Sequence, residues 1–147
     1  MNTKEIREYK RTLKLTKRQR QIIVGLLFGD GHLETRDGGR TYRLKVEHGP
    51  EQYEYVWWLY KELANLVRAE GPYTKTASDG RVSYGFTTYS LGILRFYGQQ
   101  FYVDGTKRIP PCVSKLICPL SIAVWFMDDG SRKSSRHKTY VLHTLGY

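Results

Sequence analysis

The sequence has little cysteine and little acid, and it has no long hydrophobic run. Cys112 and Cys118 are its two cysteines. Their spacing is not that of a CxxC clip, and two thiols cannot supply a four-ligand zinc site. Neither a structural zinc nor a disulfide framework therefore organises this chain, and both residues read as ordinary thiols of a reducing compartment. No apolar stretch is long enough to cross a bilayer. The opening MNTKEIREYKRTLK lacks the apolar centre of a secretion signal. Together these point to an intracellular protein, in the cytoplasm or an organelle matrix. Acid is the scarcest charge: 14 Asp and Glu stand against 24 Lys and Arg, a net of +10 in 147 residues. That excess says nothing about fold but points to a polyanionic partner. The basic residues are spread along the chain, so they do not form a disordered basic tail.

What is present is enough for one folded domain with a sizeable core, since 40% of residues are hydrophobic and 14% aromatic. TKRQRQIIVGLLFGDG reads as a helix. Thr16 and Gln19 have capping-box spacing, Ile22, Ile23, Leu26 and Leu27 recur at helical intervals, and Gly31 fits a stop. HLETRDGGRTYRLKVEHG reads as a β-hairpin turning at Asp37-Gly38-Gly39. PEQYEYVWWLYKELANLV reads as a helix with Tyr53, Val56, Trp57, Tyr60, Leu63, Ala64 and Val67 as its apolar stripe. The Trp57-Trp58 pair is expected in the core. A second hairpin follows, turning at Asp79-Gly80, then a helix through LGILRFYGQQFY capped by Ser90. A linker with Pro110 and Pro111 leads to Pro119, a tolerated residue at a helix start.

Two stretches end in an unusual way. IVGLLFGDG (Ile23 to Gly31) and IAVWFMDDG (Ile122 to Gly130) are apolar runs that close on an acid and a glycine, with Asp30 aligned to Asp129. The C-terminal end of a helix carries partial negative charge, so a carboxylate there is repelled. Two such acids in matching places imply that something cationic sits between them. The element order is helix, hairpin, helix, hairpin, helix, and then the opening helix type recurs: an α+β unit with the start of a second copy. The expected division is residues 1–110 for the first unit. Residues 111–147 are expected to hold a linker, the second motif helix and the first strand of an incomplete second unit. An unclosed sheet is unstable alone, so the chain is expected to be a fragment or to be completed by another chain.

The paired nonapeptides, their separation of about one unit, and KRIP before the second one resemble the LAGLIDADG homing endonucleases, in particular their single-chain members with two motifs. The resemblance implies αββαββα units, each presenting a curved antiparallel sheet to DNA, with the motif helices packed side by side. Gly25 and Gly29, four apart, would allow close approach; Val124 and Asp128 stand at the matching places of the second motif. It also implies a metal-dependent, site-specific double-strand endonuclease that reads a long site in the major groove and cuts across the minor groove. Asp30 and Asp129 would be catalytic and would bind Mg²⁺ or Mn²⁺, with the backbone carbonyls of Gly29 and Asp128 as further ligands. The Asp128 side chain itself would be a surface or outer acid. Lys107 matches a lysine beside the scissile phosphate, and His48 stands where many members carry a water-positioning glutamine. Arg132 and Lys133 are weaker candidates past the second motif. Such proteins are usually encoded in introns or inteins, and the lack of a splicing-domain sequence favours an intron.

Strand alternation sorts the remaining charges. In RTYRLKVEH, Tyr42, Leu44 and Val46 should meet the helices, leaving Arg43 and Lys45 for DNA. By the same logic Glu34, Arg36, Lys75, Arg81 and Ser83 point to DNA, the arginines able to bridge guanine edges and the lysines to hold phosphate. The rival reading keeps the fold but not the cutting: an RNA maturase acting on its own intron, or a DNA-binding remnant.

Overall fold

The computed structural model describes residues 3–129 and, beyond them, a strand pair at 131–132 and 140–141; side chains are described as far as Asp128. Arg132 therefore lies on a short strand whose side chains are outside the described set, and Lys133 lies outside the described residues.

Helix α1 (Thr3–Thr12) buries none of its residues. It is docked through Tyr9, whose hydroxyl donates to the Asn65 carbonyl at 2.6 Å and whose ring meets Tyr89 edge-on. The sequence pattern assigned no helix there. Helix α2 (Lys17–Phe28) begins with the expected capping box: the Gln19 amide donates to Thr16 Oγ1 at 3.0 Å and the Thr16 amide to Gln19 Oε1 at 3.1 Å. From Ile22 to Phe28 every residue is buried, as in a helix surrounded by other elements. It ends at Phe28 with Gly29 as its cap, earlier than the stop expected at Gly31. The Gly31 amide turns back to the Leu26 carbonyl at 2.8 Å, and a Cβ on Gly31 would stand 2.8 Å from that of Leu26.

Strands β1 (His32–Glu34) and β2 (Arg43–His48) form the first hairpin. Its loop is organised by Asp37, which accepts from the Arg40 and Thr41 amides and the Thr41 hydroxyl, while Gly38 and Gly39 take positive φ. Helix α3 (Tyr53–Leu63) follows a short 3₁₀ turn at Pro50–Gln52. Strands β3 (Tyr73–Thr76) and β4 (Val82–Thr87) form the second hairpin, turning at Gly80 with φ +87°. The four strands make one antiparallel sheet in the order β1-β2-β4-β3.

Three expectations about helix faces need correction. The face of α3 that packs inward carries Tyr55, Val56, Leu59 and Leu63, while Tyr53 is exposed. The 3₁₀ entry sets the phase of the helix, which apolar spacing alone could not fix. Trp57 is half-buried and Trp58 exposed, with the Arg18 guanidinium 5.9 Å above its ring, so the pair is not core. Ser90 caps nothing: the chain enters helix α4 (Arg95–Phe101) through a 3₁₀ turn at Gly92–Leu94 whose flanking residue is Leu91.

The segment read as a linker contains a tight hairpin. Strands β5 (Tyr102–Val103) and β6 (Thr106–Lys107) turn on Asp104 and Gly105, both at positive φ. After one turn of helix α5 (Val113–Leu116), helix α6 (Pro119–Asp129) runs parallel to α2. Gln21 meets Ser121, Gly25 meets Val124 and Gly29 meets Asp128. The last two pairs are the residues that the motif alignment places opposite each other, as a two-fold axis between the helices requires. Strands β7 (Ser131–Arg132) and β8 (Tyr140–Val141) pair beyond it. The core lies between α2, α3, α4 and the inner face of the sheet, and Val124 of α6 joins it. No helix of the described residues is long and apolar enough to cross a membrane.

Candidate functional site

The helix joint positions the site. A Cβ on Gly25 would stand 2.5 Å from the Ser121 carbonyl oxygen and 2.7 Å from Val124 Cβ, so only glycine admits α6 at this distance. At Gly29 the missing side chain leaves room for the Asp128 carboxylate, whose Cβ lies 2.9 Å from where a Gly29 Cβ would be. The Ser121 hydroxyl donates to the Gln21 carbonyl at 2.8 Å and closes the other end of the joint. Glycine-mediated approach was legible from the spacing of Gly25 and Gly29.

Asp30 stands at the end of α2, exposed, on an open cleft of about 1070 Å³ that His32, Glu34, Lys107 and Arg108 also line. Lys107 is carried there by the β5–β6 hairpin. Its ammonium donates to the carbonyls of Gly29 at 2.8 Å and Gly31 at 2.7 Å. It thus offsets the negative end of α2 where a carboxylate would otherwise be repelled. Asp129 is the last residue of α6, and its side chain lies outside the described residues.

Asp128 is not a surface acid. Its side chain is 0% exposed, and His48, at the end of β2, is 6% exposed beside it. Asp128 Oδ2 accepts from the Asp30 amide, and Oδ1 bonds His48 Nε2 at 2.5 Å. Glycine on the facing helix opened this space, and a buried carboxylate with both oxygens occupied filled it. Burial alone would lower the His48 pKa. The Asp128 hydrogen bond and charge, with smaller fields from Asp30 and Glu51, reverse this and raise it. Two further side chains of the first unit reach the last turns of α6. The Tyr55 hydroxyl donates to the Val124 carbonyl at 3.2 Å and Gln52 Nε2 to the Met127 carbonyl at 2.8 Å. Burial, then the charges of Asp128 and Asp30, push the Tyr55 pKa far up, so it is a permanent donor. Sequence reasoning missed Gln52, Tyr55 and Ser121, which carry no local signal. Asp128 did carry one, since an acid aligned with a glycine is a large group facing a small one.

The outer face of the sheet carries the expected charges. Along β2, Leu44, Val46 and His48 are buried and Arg43, Lys45 and Glu47 alternate with them. Arg43 grips Glu34 through Nη2 at 2.6 Å and Nε at 2.9 Å. That hydrogen bond leads the causes that hold Glu34 below the usual carboxylate range. Lys45 and Lys75 converge on Glu47 at 3.9 and 3.8 Å, and Tyr73 donates to the same carboxylate at 3.1 Å. Arg81 pairs with Asp79 of its own turn at 2.7 Å, and Arg36 is exposed on the first hairpin loop. The cations thus lie along one face with Glu34 and Glu47 between them.

The sequence model of the LAGLIDADG DNA endonuclease family matches residues 20–147. The chain belongs to this family. Its fold is similar to that of the homing endonuclease I-WcaI bound to its DNA recognition sequence, with a TM-score of 0.82 and 26% identity, covering 99% of this chain and 67% of that one. Among curated proteins, DNA endonuclease I-ChuI of Chlamydomonas applanata is 29% identical over 82% of the chain and 61% of its own length. Cytochrome b mRNA maturase bI2 of Debaryomyces hansenii is 27% identical over 80% of the chain and 47% of its own length. The chain therefore spans about half the length of these relatives. As a LAGLIDADG unit its α+β architecture is the expected one: motif helix, hairpin, helix, hairpin, helix, with a second motif helix packed against the first.

Proposed function

We propose that this chain serves a site-specific, divalent-metal-dependent DNA endonuclease. The carrying observation is the parallel α2–α6 joint, which brings the Asp30 turn to the end of the helix that closes on Asp129, beside an open cleft that Lys107 and Arg108 line. The donor set suits a hard cation: a carboxylate at Asp30, the neighbouring Gly29 carbonyl, and the aligned acid Asp129. That Lys107 already seats an ammonium on Gly29 and Gly31 supports a place that attracts cations. A divalent ion bound there would supply an activated water and charge neutralisation at phosphate. The chain's own share is to hold DNA on Arg36, Arg43, Lys45, Lys75 and Arg81, to present Asp30 at the cleft floor, and to keep Lys107 beside the reacting phosphate.

In this reading residues 1–110 are one unit, and residues 111–147 open a second. The exposed Ile122, Phe126 and Met127 on α6 support a second half-unit packing there, in cis or from another chain. The maturase similarity supports a second reading, in which intron RNA is the partner. Asp30→Asn decides. Cleavage of duplex DNA in Mg²⁺ should be abolished, with DNA affinity unchanged or higher because a repelling charge is gone. Cutting at near wild-type rate would refute the site. Tighter and less salt-sensitive binding to the intron RNA than to duplex DNA would replace the endonuclease reading by the maturase one.

A further inference from the structure

We infer that His48 is a positioning residue: through Asp128 it holds the Asp30 turn against the last turn of α6, so that a side chain of the first half-unit helps set how the two motif helix ends stand. The ring cannot serve a water in the cleft through Nε2, because that nitrogen is spent on Asp128 Oδ1 at 2.5 Å, in a place where His48 is 6% and Asp128 0% exposed. The other carboxylate oxygen of Asp128 accepts the Asp30 amide, the backbone of the acid that faces the cleft. The dependence runs one way. A buried carboxylate that loses one of its two partners must be resolvated or moved. Asp128 can leave only by withdrawing from the pocket that Gly29 makes for it, and so by releasing the Asp30 amide.

The neighbouring contacts support a latch more than general packing. Gln52 and Tyr55, three residues apart, hold carbonyls of α6 at Met127 and Val124. His48 ends β2, Gln52 ends the 3₁₀ turn that follows, and Tyr55 lies in the first turn of α3. They meet α6 within its last six residues, and all three contacts are polar. One short stretch of the first half-unit therefore grips the end of the second motif helix. The importance of this for cleavage rests on the reading of Asp30 as a metal-binding acid; the latch itself does not.

Amide hydrogen exchange on the whole 147-residue chain tests it without cleavage. In the wild type the Asp30 amide should be protected. In His48→Leu, which keeps the ring's apolar volume but donates nothing, exchange at Asp30 should rise roughly tenfold or more, as expected for loss of a bond to a charged group. The Leu26 amide in the middle of α2 should be unchanged. His48→Gln, which restores a donor, should bring Asp30 back to near wild-type protection. An unprotected Asp30 in the wild type, protection kept in His48→Leu, equal loss at Asp30 and Leu26, or no rescue by Gln would each overturn the latch. Cleavage by Asp30→Asn would refute the metal-site reading and leave these exchange results standing.

Discussion

Replacing Gly25 by alanine puts two effects of similar size against each other. An alanine in a helix interior is favoured over glycine by about 1 kcal/mol, and on α2 alone the change should stabilise. At the joint the added methyl would lie 2.5 Å from the Ser121 carbonyl, 2.7 Å from Val124 Cβ and 2.9 Å from Val124 Cγ1. Carbon atoms are comfortable at about 3.5–4.0 Å, so α6 must retreat by roughly 1 Å. One of these contacts is with backbone and another with a Cβ, and no rotamer change relieves either. Overpacking of this kind costs about 1–3 kcal/mol. The retreat also stretches the 2.8 Å bond from Ser121 to Gln21, worth about 1 kcal/mol. The sum is a net loss of about 2 kcal/mol, or a melting point lower by roughly 6 °C for a chain of this size. Urea and thermal unfolding measure it. Val124→Gly in the same background should recover part of the loss by non-additivity, since it empties the side-chain part of the clash. A Gly25→Ala chain as stable as the wild type would refute the close joint and, with it, the placement of the two motif ends.

Three other outcomes follow from the charges. Lys107→Met removes the cation from the Gly29 and Gly31 carbonyls; it should lower cleavage by at least about tenfold, with DNA affinity changed far less, read from single-turnover cutting and equilibrium binding. Glu34→Gln releases Arg43 and deletes a negative charge from the DNA face, so duplex affinity at low salt should rise a few-fold; a drop would show that Glu34 orders Arg43 for DNA. In the free protein the Glu34–Arg43 pair should stabilise by up to about 1 kcal/mol. Because the folded pKa of Glu34 is depressed, that contribution is present above the unfolded value of 4.5 and is lost as pH falls through the lower folded one. Urea midpoints of wild type and Glu34→Gln should therefore differ at neutral pH and converge in acid.

Features encoded locally were the ones that sequence disclosed. Thr16 and Gln19 lie one helical turn apart, and the Asp-Gly pairs set their own backbone turns, so α2 and the hairpins could be placed before any contact was known. The alternation of Arg43, Leu44, Lys45 and Val46 likewise follows from pleat geometry alone. Long-range features were not disclosed. Asp128 and His48 are separated by 80 residues, and neither has a neighbour in sequence that announces the other. The phase of α3 depends on a 3₁₀ entry, which moved Tyr55 inward and Tyr53 outward. Helix α1 was missed because it docks through a few contacts, the Tyr9 hydroxyl and ring and the Lys10 ammonium over Tyr89, rather than by burying a face. The β5–β6 hairpin is too short to show a strand pattern, although Asp104-Gly105 marked its turn.

The joint between α2 and α6 also has a handedness of roles. One helix contributes hollows, at Gly25 and Gly29, and the other contributes the groups that fill them, Val124 and Asp128. Two copies of α2 set face to face would bring glycine opposite glycine, which lets two backbones approach closer still. Two copies of α6 would press valine on valine and confine two carboxylates in one apolar space. Of the two, only α6 is a poor partner for itself. The seam is thus one of unlike faces: the filling side chains come from α6 and the space for them from α2.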